Sequence, residues 1–398
     1  MSVLISLARA SAIVADAVPV PRRKPDLLGF DDALHRVLAH DLLAAGDVPP
    51  FPNSAMDGYA VAPGPAGRRL PVVDEARAGR PATSPLRDGE AIRISTGAAL
   101  PSGAQAVVRR EDTDEQDGLV TVEVEVASGQ NVRRAGEDLR RGEVVLGAGA
   151  DLRPAELALA VAAGASGLPC APRPRVAVLC TGDELRAPGA ALGLGEIHNS
   201  NAVGLAAAAR RAGGEVVLAG GVGDTLQATT EALADALERA DVVVVSGGVS
   251  VGAHDHVKPA LASLGVAERF WGVALKPGKP TWFGLRGEQP VFGLPGNPVS
   301  AMVTFRLFVT PALRALQGAE PEPQPLSAAL AVAVSRERRE QAVRVLLSSE
   351  APSGLRATPT GPQGSHLLSS LAGADGLALI PAGTGELAAG EAVRVLRT

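Results

Sequence analysis

Short, uninterrupted apolar runs alternate with helical patterns through the middle of this chain. Val176–Cys180, Val216–Ala219, Val242–Val245 and Val291–Leu294 each read as a buried strand, and Phe270–Leu275 is strand-like. Between them, residues 201–212, 225–240 and 259–264 carry helical patterns, and a further helix is expected from Pro298 to about Leu316. Strands that are apolar on both faces and alternate with helices predict a parallel sheet covered on both sides.

The flanking regions have other periods. Residues 27–43 place Leu34, Val37, Leu38 and Leu42 at helical spacing, interrupted only by Asp41, and predict an amphipathic helix ended by Gly46 and Pro49-Pro50. Residues 153–165 also read as helix, with Pro154 at an early position. From 61 to 142 there is no helical period. Val120, Val122, Val124 and Val126 alternate with Thr121, Glu123 and Glu125 as a half-buried strand does. Ile92–Ile94 reads as a strand entering a turn, and Ala106–Val108 is a short apolar run. Beyond the Pro-rich stretch Gly318–Pro325, residues 328–334, 342–347, 377–380 and 391–396 are strand candidates without helices. The expected fold is a multidomain α/β protein. Residues 1–43 with 143–172 form a helical part, 44–142 an inserted β-rich domain, 173–318 a parallel-sheet α/β domain and 319–398 a small β-barrel or sandwich.

Composition narrows the function. At 398 residues the chain exceeds one ordinary core, and 46% hydrophobic residues suffice to bury several. A charged fraction of 20% and a net charge of −5 exclude a nucleic-acid surface. Arg9 and Asp16 interrupt the apolar residues 1–20, and no basic region precedes them, so neither a signal peptide nor a membrane span is expected. Cys170 and Cys180 have no metal-ligand spacing and read as buried thiols, consistent with a reducing, cytoplasmic setting.

The chain has only four lysines, Lys24, Lys258, Lys276 and Lys279, among 38 basic residues. Two of them share the stiff turn Lys276-Pro277-Gly278-Lys279-Pro280. Compact ammonium charges on a Pro-Gly frame suit a small tetrahedral oxyanion; a solvated turn is the plainer alternative. In an open parallel sheet, ligands sit beyond the carboxyl ends of the strands. Four loops leave strands there: Thr181–Glu184, the loop at Gly223–Thr225, Ser246–Gly252 followed by His254-Asp255, and Leu294–Pro298. Gly247 and Gly248, between Ser246 and Ser250, stand where backbone N–H groups would face an anion, although a tight βα turn has the same composition. Pro295 and Gly296 lead to Asn297, which reads as a helix cap before Pro298. Glu184, Asp224 and Asp255 bring carboxylates to this edge. Beside anion-binding loops they read as ligands of a bridging Mg²⁺. Asp57-Gly58 alone is a turn signal that needs no chemistry.

These stretches together resemble the molybdopterin molybdenumtransferase (MoeA) family and the matching domain of gephyrin. The matching segments, in family order, are residues 49–60 (PPFPNSAMDGYA), 93–101 (RISTGAALP), 130–138 (QNVRRAGED), 178–185 (VLCTGDEL), 246–252 (SGGVSVG), 276–280 (KPGKP), 294–301 (LPGNPVSA) and 361–366 (GPQGSH). The resemblance implies an extended helical part, an inserted β domain, a MogA-like α/β domain and a C-terminal β-barrel, in a homodimer with a cleft built from both subunits. It implies Mg²⁺-dependent insertion of molybdate into adenylylated molybdopterin with release of AMP. Asp57, Thr96, Asp138, Glu184, Asp224 and Asp255 become the acidic and polar members of the cleft. Lys276 and Lys279 become the molybdate anchors, and Arg344 and Ser365 their anion-binding partners. Molybdopterin adenylyltransferase and molybdoenzyme maturation factors are the implied partners, with no nucleic acid and no membrane.

The chain departs from the family pattern at Gln105, at His254 and at Gly272, where a basic residue usually follows Phe270-Trp271. In a straight strand position 272 is in phase with Lys276, so Gly272 predicts a weakened anion pocket. Two other functions are weighed. An adenylyltransferase needs only the α/β domain, which leaves the inserted domain and the barrel without a role. A non-catalytic gephyrin-like scaffold does not need the acidic cleft positions.

Overall fold

A computed structural model describes residues 4–18, 23–249, 255–321, 324–350 and 354–398. The chain divides into two compact units, one of residues 27–34 and 40–170, the other of residues 1–26, 35–39 and 171–398.

The first unit is built on a six-stranded sheet. Its strands run in the order Ala106–Arg109, Gly58–Val61, Ala91–Ile94, Arg68–Ala76, Leu119–Val122 and Thr113–Gln116. Both faces are covered. Tyr59, Val61, Val108, Val120 and Val122 pack on one side, and Ala60, Ile92, Ile94 and Val107 on the other. The regular strand ends at Val122, yet the valine alternation continues: Val124 and Val126 pack on the same core as Val120 and Val122, and Val126 bridges Gly64. Asp57-Gly58 is no hairpin turn. Gly58 opens a strand between two antiparallel neighbours, paired with Ile94 and Arg109. A Cβ there would lie 1.9 Å from the Val108 carbonyl oxygen, so the glycine is required by close backbone approach. The helix Pro154–Ala162 forms with its proline in the first turn.

The helix expected over 27–43 does not form. The segment instead makes a strand, Asp26–Leu28, a single helical turn, Phe30–Ala33, and a strand, Leu42–Leu43. Leu34 already leaves the helical region (ψ 131°), and His35 follows in the left-handed conformation (φ 61°), so the turn does not continue. The apolar spacing survives because Val37 and Leu38 are buried without a helix. Conversely, Leu7–Ala17 is a helix that the sequence reading passed over. Ser6 caps it, and Leu7, Ala10 and Val14 are buried.

In the second unit the central sheet has the order Glu215–Val222, Arg175–Thr181, Val242–Ser246, Gln289–Leu294, Trp282–Arg286, Ala267–Trp271. The first four strands are parallel, and the last two are added antiparallel. The sheet is thus mixed, with the expected parallel sheet as its larger part. Alternate residues of the valine runs enter opposite cores: Val242 and Val244 one, Val243 and Val245 the other. This is why those runs are apolar without interruption. The helices Ser200–Arg211, Leu226–Arg239 and Val257–Ser263 follow the parallel strands, and the helical stretch after Pro298 contains a π turn at Phe305–Val309.

The C-terminal strands Leu326–Leu330, Glu340–Glu350, Gly354–Pro359, Gly376–Ile380 and Ala392–Arg397 close into a five-stranded barrel, because Glu340–Glu350 pairs on both sides. The two-residue strand Leu275–Lys276 adds to its edge. Trp282–Arg286 and Gly354–Pro359 are strands not expected from the sequence: Trp282–Leu285 has no polar alternation, and Leu355, Ala357 and Pro359 alternate with Arg356 and Thr358 over too short a stretch between glycine and proline. Among the described residues no helix is long and apolar enough to cross a membrane.

Gly58→Ala should destabilise the protein by about 1–3 kcal/mol, the usual cost of overpacking. Gly46, with nothing within 4 Å of a built Cβ, is the control. Denaturant melts of the two alanine variants test this, and equal midpoints would refute the close-approach argument.

Candidate functional site

Parallel strands deliver their loops to one edge. Reading across the four parallel strands, the edge carries Asp224 after Val222, then Asp183 and Glu184 after Thr181, then Gly247 and Gly248 after Ser246, then Pro295, Gly296 and Asn297 after Leu294. One half is acidic and the other is made of glycine and amide.

In the glycine half the backbone is tightly held. Gly247 and Gly248 have φ of 94° and 63°, and a Cβ on Gly247 would lie 2.8 Å from the Thr181 hydroxyl oxygen. The Gly247 N–H donates to the Leu294 carbonyl at 3.0 Å. Ser246 is buried and donates to the Pro295 carbonyl at 3.0 Å. Asn201 donates from one amide nitrogen to the Ser246 hydroxyl (2.9 Å) and to the Gly296 carbonyl (2.7 Å), clamping the two loops together. No local pattern marks Asn201, because its clamp depends on a contact 95 positions away. Trp271 donates to the Val249 carbonyl at 2.7 Å, and the Lys258 ammonium lies 4.5 Å from its ring. Ser250, with Val251, Gly252, Ala253 and His254, lies outside the described residues.

Asn297 occupies the capping position but makes no side-chain cap. Its amide instead donates to the Ser365 hydroxyl at 3.1 Å, and the Ser365 carbonyl accepts from the Val299 N–H at 3.2 Å. The two motifs are therefore one structure. Gly278 completes the link: a Cβ there would lie 2.6 Å from the Thr304 methyl carbon. The lysine turn thus packs against the helix that begins after Asn297. Lys279 is exposed, whereas Lys276 is half-buried and pairs with Glu337.

Arg344 does not present its guanidinium to solvent. It is fully buried and donates to the carbonyls of Pro362, Gln363 and Gly364 and to the Ser370 hydroxyl, at 3.0–3.3 Å. Burial works against its charge and lowers its pKa. In this geometry Arg344 shapes the loop that carries Ser365.

In the acidic half, Asp183 and Asp224 are bonded reciprocally. The Asp183 N–H donates to the Asp224 carboxylate at 3.3 Å, and the Asp224 N–H to the Asp183 carboxylate at 2.9 Å. The Glu184 carboxylate lies over Gly182. Asp255 is half-buried, just before the helix Val257–Ser263. Glu184, Asp224 and Asp255 are not gathered as a ligand set, for among the described residues no three His, Cys, Asp or Glu side chains could together hold a metal. What the fold assembles is the pair Asp183–Asp224, each carboxylate using one oxygen for the other's N–H. Two carboxylates fit a Mg²⁺ that takes its remaining oxygens from phosphate and water.

The strand expected over Phe270–Leu275 is broken. It ends at Trp271, and Gly272 has φ of 88°. A Cβ on Gly272 would meet the Leu4 side chain at 2.8 Å. Position 272 is therefore not in phase with Lys276, and the weakened pocket inferred from this glycine loses its basis.

In the other unit, the Asp57 carboxylate accepts from the Thr96 N–H at 2.8 Å, which brings two candidates together. Asp138 is anchored through its N–H to the Val48 carbonyl at 3.0 Å. Gln105 is exposed.

Cys170 and Cys180 are buried thiols, and neither is in a disulfide. Burial pushes Cys180 up to about 12. Its raised value means that stability from the buried thiol is complete below the unfolded thiol's range and is lost as pH rises toward about 12. Neither thiol should react with a disulfide reagent at mildly alkaline pH until the protein is unfolded. Rapid labelling of the native protein would contradict this.

Comparison with known proteins covers nearly the whole chain. Residues 5–164 match the model of the MoeA N-terminal region (domain I and II), residues 177–315 that of a probable molybdopterin binding domain, and residues 327–397 that of the MoeA C-terminal region (domain IV). A molybdopterin molybdenumtransferase 2 of Mycobacterium tuberculosis (strain ATCC 25618 / H37Rv) is 39% identical over 386 residues, covering 94% of this chain and 95% of that protein. The molybdopterin molybdenumtransferase of Bacillus subtilis (strain 168) is 34% identical, covering 93% and 89%. The crystal structure of the molybdopterin biosynthesis moeA protein from Pyrococcus horikoshii OT3 superposes with a TM-score of 0.87 at 30% identity over 100% of both chains.

Proposed function

The chain belongs to the MoeA family of molybdopterin molybdenumtransferases, transferases of molybdenum cofactor biosynthesis, and we propose that its four-loop sheet edge inserts molybdate into adenylylated molybdopterin with release of AMP. The observation that carries this reading is the order of loops along the edge, a carboxylate pair, a glycine loop and an amide-bearing loop, with the lysine turn packed on the helix that follows the last of them. The bond to be broken is a phosphoanhydride, and molybdate is the second substrate. Both are anionic, and the two halves of the edge meet different parts of them.

The Gly247 N–H is held by the Leu294 carbonyl and fixes the turn, and the bare backbone at Gly248 lets a phosphate oxygen approach without a side chain in the way. Asn201 holds this loop against Pro295 and Gly296, so the binding surface is formed before substrate arrives. Lys276 and Lys279 supply compact positive charge for molybdate. Asn297 and Ser365, bonded to each other, offer further hydrogen-bonding groups, and Arg344 acts by holding the loop of Ser365. Asp183 and Asp224 would hold Mg²⁺, with Glu184 and Asp255 nearby on the same edge. When bound, Mg²⁺ would neutralise charge on the phosphoanhydride oxygens.

The adenylyltransferase reading is not favoured, because the family match extends over the N-terminal and C-terminal regions as well as residues 177–315. We further propose a cytoplasmic homodimer in which Asp57, Thr96 and Asp138 complete a shared cleft. Its substrate would come from molybdopterin adenylyltransferase and its product pass to molybdoenzyme maturation factors.

With adenylylated molybdopterin, the purified protein should release AMP only when both molybdate and Mg²⁺ are present, and chelation should stop it. Asp224→Asn should lower turnover by about ten- to a hundredfold without loss of folding. AMP release at an unchanged rate without molybdate, with no metal entering the pterin, would sink the assignment. Light scattering should show a dimer; an active monomer would remove the shared cleft.

A further inference from the structure

Lys276 is not a free cation. Its ammonium pairs with the carboxylate of Glu337, while Lys279, three residues on, has no side-chain hydrogen bond or ion pair among the described residues. No family motif pointed to Glu337. It stands in the charged run Arg336–Glu340, which by sequence alone is a solvated turn.

The fold brings this carboxylate to the lysine by a rigid route. Leu275–Lys276 lies parallel to the barrel strand, with Leu275 opposite Glu340 and Lys276 opposite Gln341. The Glu340 N–H donates to the Ala274 carbonyl at 3.0 Å, and Arg339 donates to the Leu275 carbonyl at 3.1 Å. On the other side the Glu337 carbonyl accepts from the Gly383 N–H at 2.7 Å, and Arg336 donates to the Ala382 carbonyl at 2.8 Å. The backbone of Glu337 is fixed on both flanks, so only its side chain is left to move.

The pair itself is weakly held. The two side chains are 43% and 38% exposed, so water screens the attraction. A tetrahedral anion that engaged both lysines would compete with the Glu337 carboxylate for the Lys276 ammonium. We propose that Glu337 is a built-in counterion of the lysine turn, which an incoming oxyanion displaces and which thereby sets the affinity of the site. This rests on the reading of Lys276 as a molybdate anchor. The carboxylate keeps Lys276 oriented in the empty site and costs the anion part of its binding energy. An anion too weak to displace it gains only Lys279.

Molybdate alone, titrated calorimetrically into the full-length protein, separates the possibilities. Glu337→Gln should bind molybdate about two- to fivefold more tightly than the wild type, the range expected for releasing an exposed ion pair. Glu337→Asp keeps the charge but withdraws it from Lys276, and should fall between the two. Thermal melts confirm that each variant is folded, and either variant alone keeps the question answerable. Equal affinity of wild type and Glu337→Gln overturns the counterion role. So does a Glu337→Asp variant identical to wild type beside a tighter Glu337→Gln, because the effect would then be through-space repulsion. Lys276→Ala should weaken binding; if it changes nothing, the anion does not sit at Lys276, and the underlying reading of the site fails as well.

Discussion

The register of the central parallel strands governs the rest of this molecule. Cys180 stands opposite Ser246, and Ser246 opposite Leu294. Three chains therefore leave the sheet at the same level, and their loops must share one small space. The local devices follow from that crowding. Gly247 is bare because Thr181 occupies the place of its side chain, and Ser246 gives its hydroxyl hydrogen to the neighbouring loop. A one-residue slip would move the valines to the wrong cores as well as misplacing the loops, so packing and site geometry enforce the same register.

Charge is graded along that edge. The carboxylates of Asp183 and Asp224 sit at one end, each satisfied in part by the other's backbone N–H. The glycine and amide loops follow, and the lysine turn packs on Thr304 of the helix after Asn297. The barrel contributes more than a cap. Through the pairing of Leu275–Lys276 with its strand it supplies Glu337, and through Arg344 it shapes the loop that brings Ser365 to Asn297.

Much of this was legible in the sequence because it rests on local rules. Uninterrupted apolar runs such as Val242–Val245 need two covered faces, and helices between them need a parallel sheet, so the α/β architecture and its ligand edge follow from periodicity alone. The motifs then marked which loops matter. The misses share a cause: a pattern over one stretch of chain was taken as evidence of its partner. Residues 27–43 have helical spacing, yet Val37 and Leu38 are buried without a helix. Asp57-Gly58 has turn composition, yet its glycine is demanded by the Val108 carbonyl. Asn297 has a capping identity, yet its amide is used by Ser365.

By itself, then, the sequence determined the α/β class, the barrel, the loops that carry chemistry and the family to which the chain belongs, since each is written in residue type and spacing. Only the tertiary structure decided which charges meet. It paired Asp183 with Asp224, seated Glu337 against Lys276 and drew Arg344 inward. The physical reason is that spacing sets a side chain's direction from its own strand or turn, whereas its electrostatic partner is chosen by where distant backbone segments come to rest.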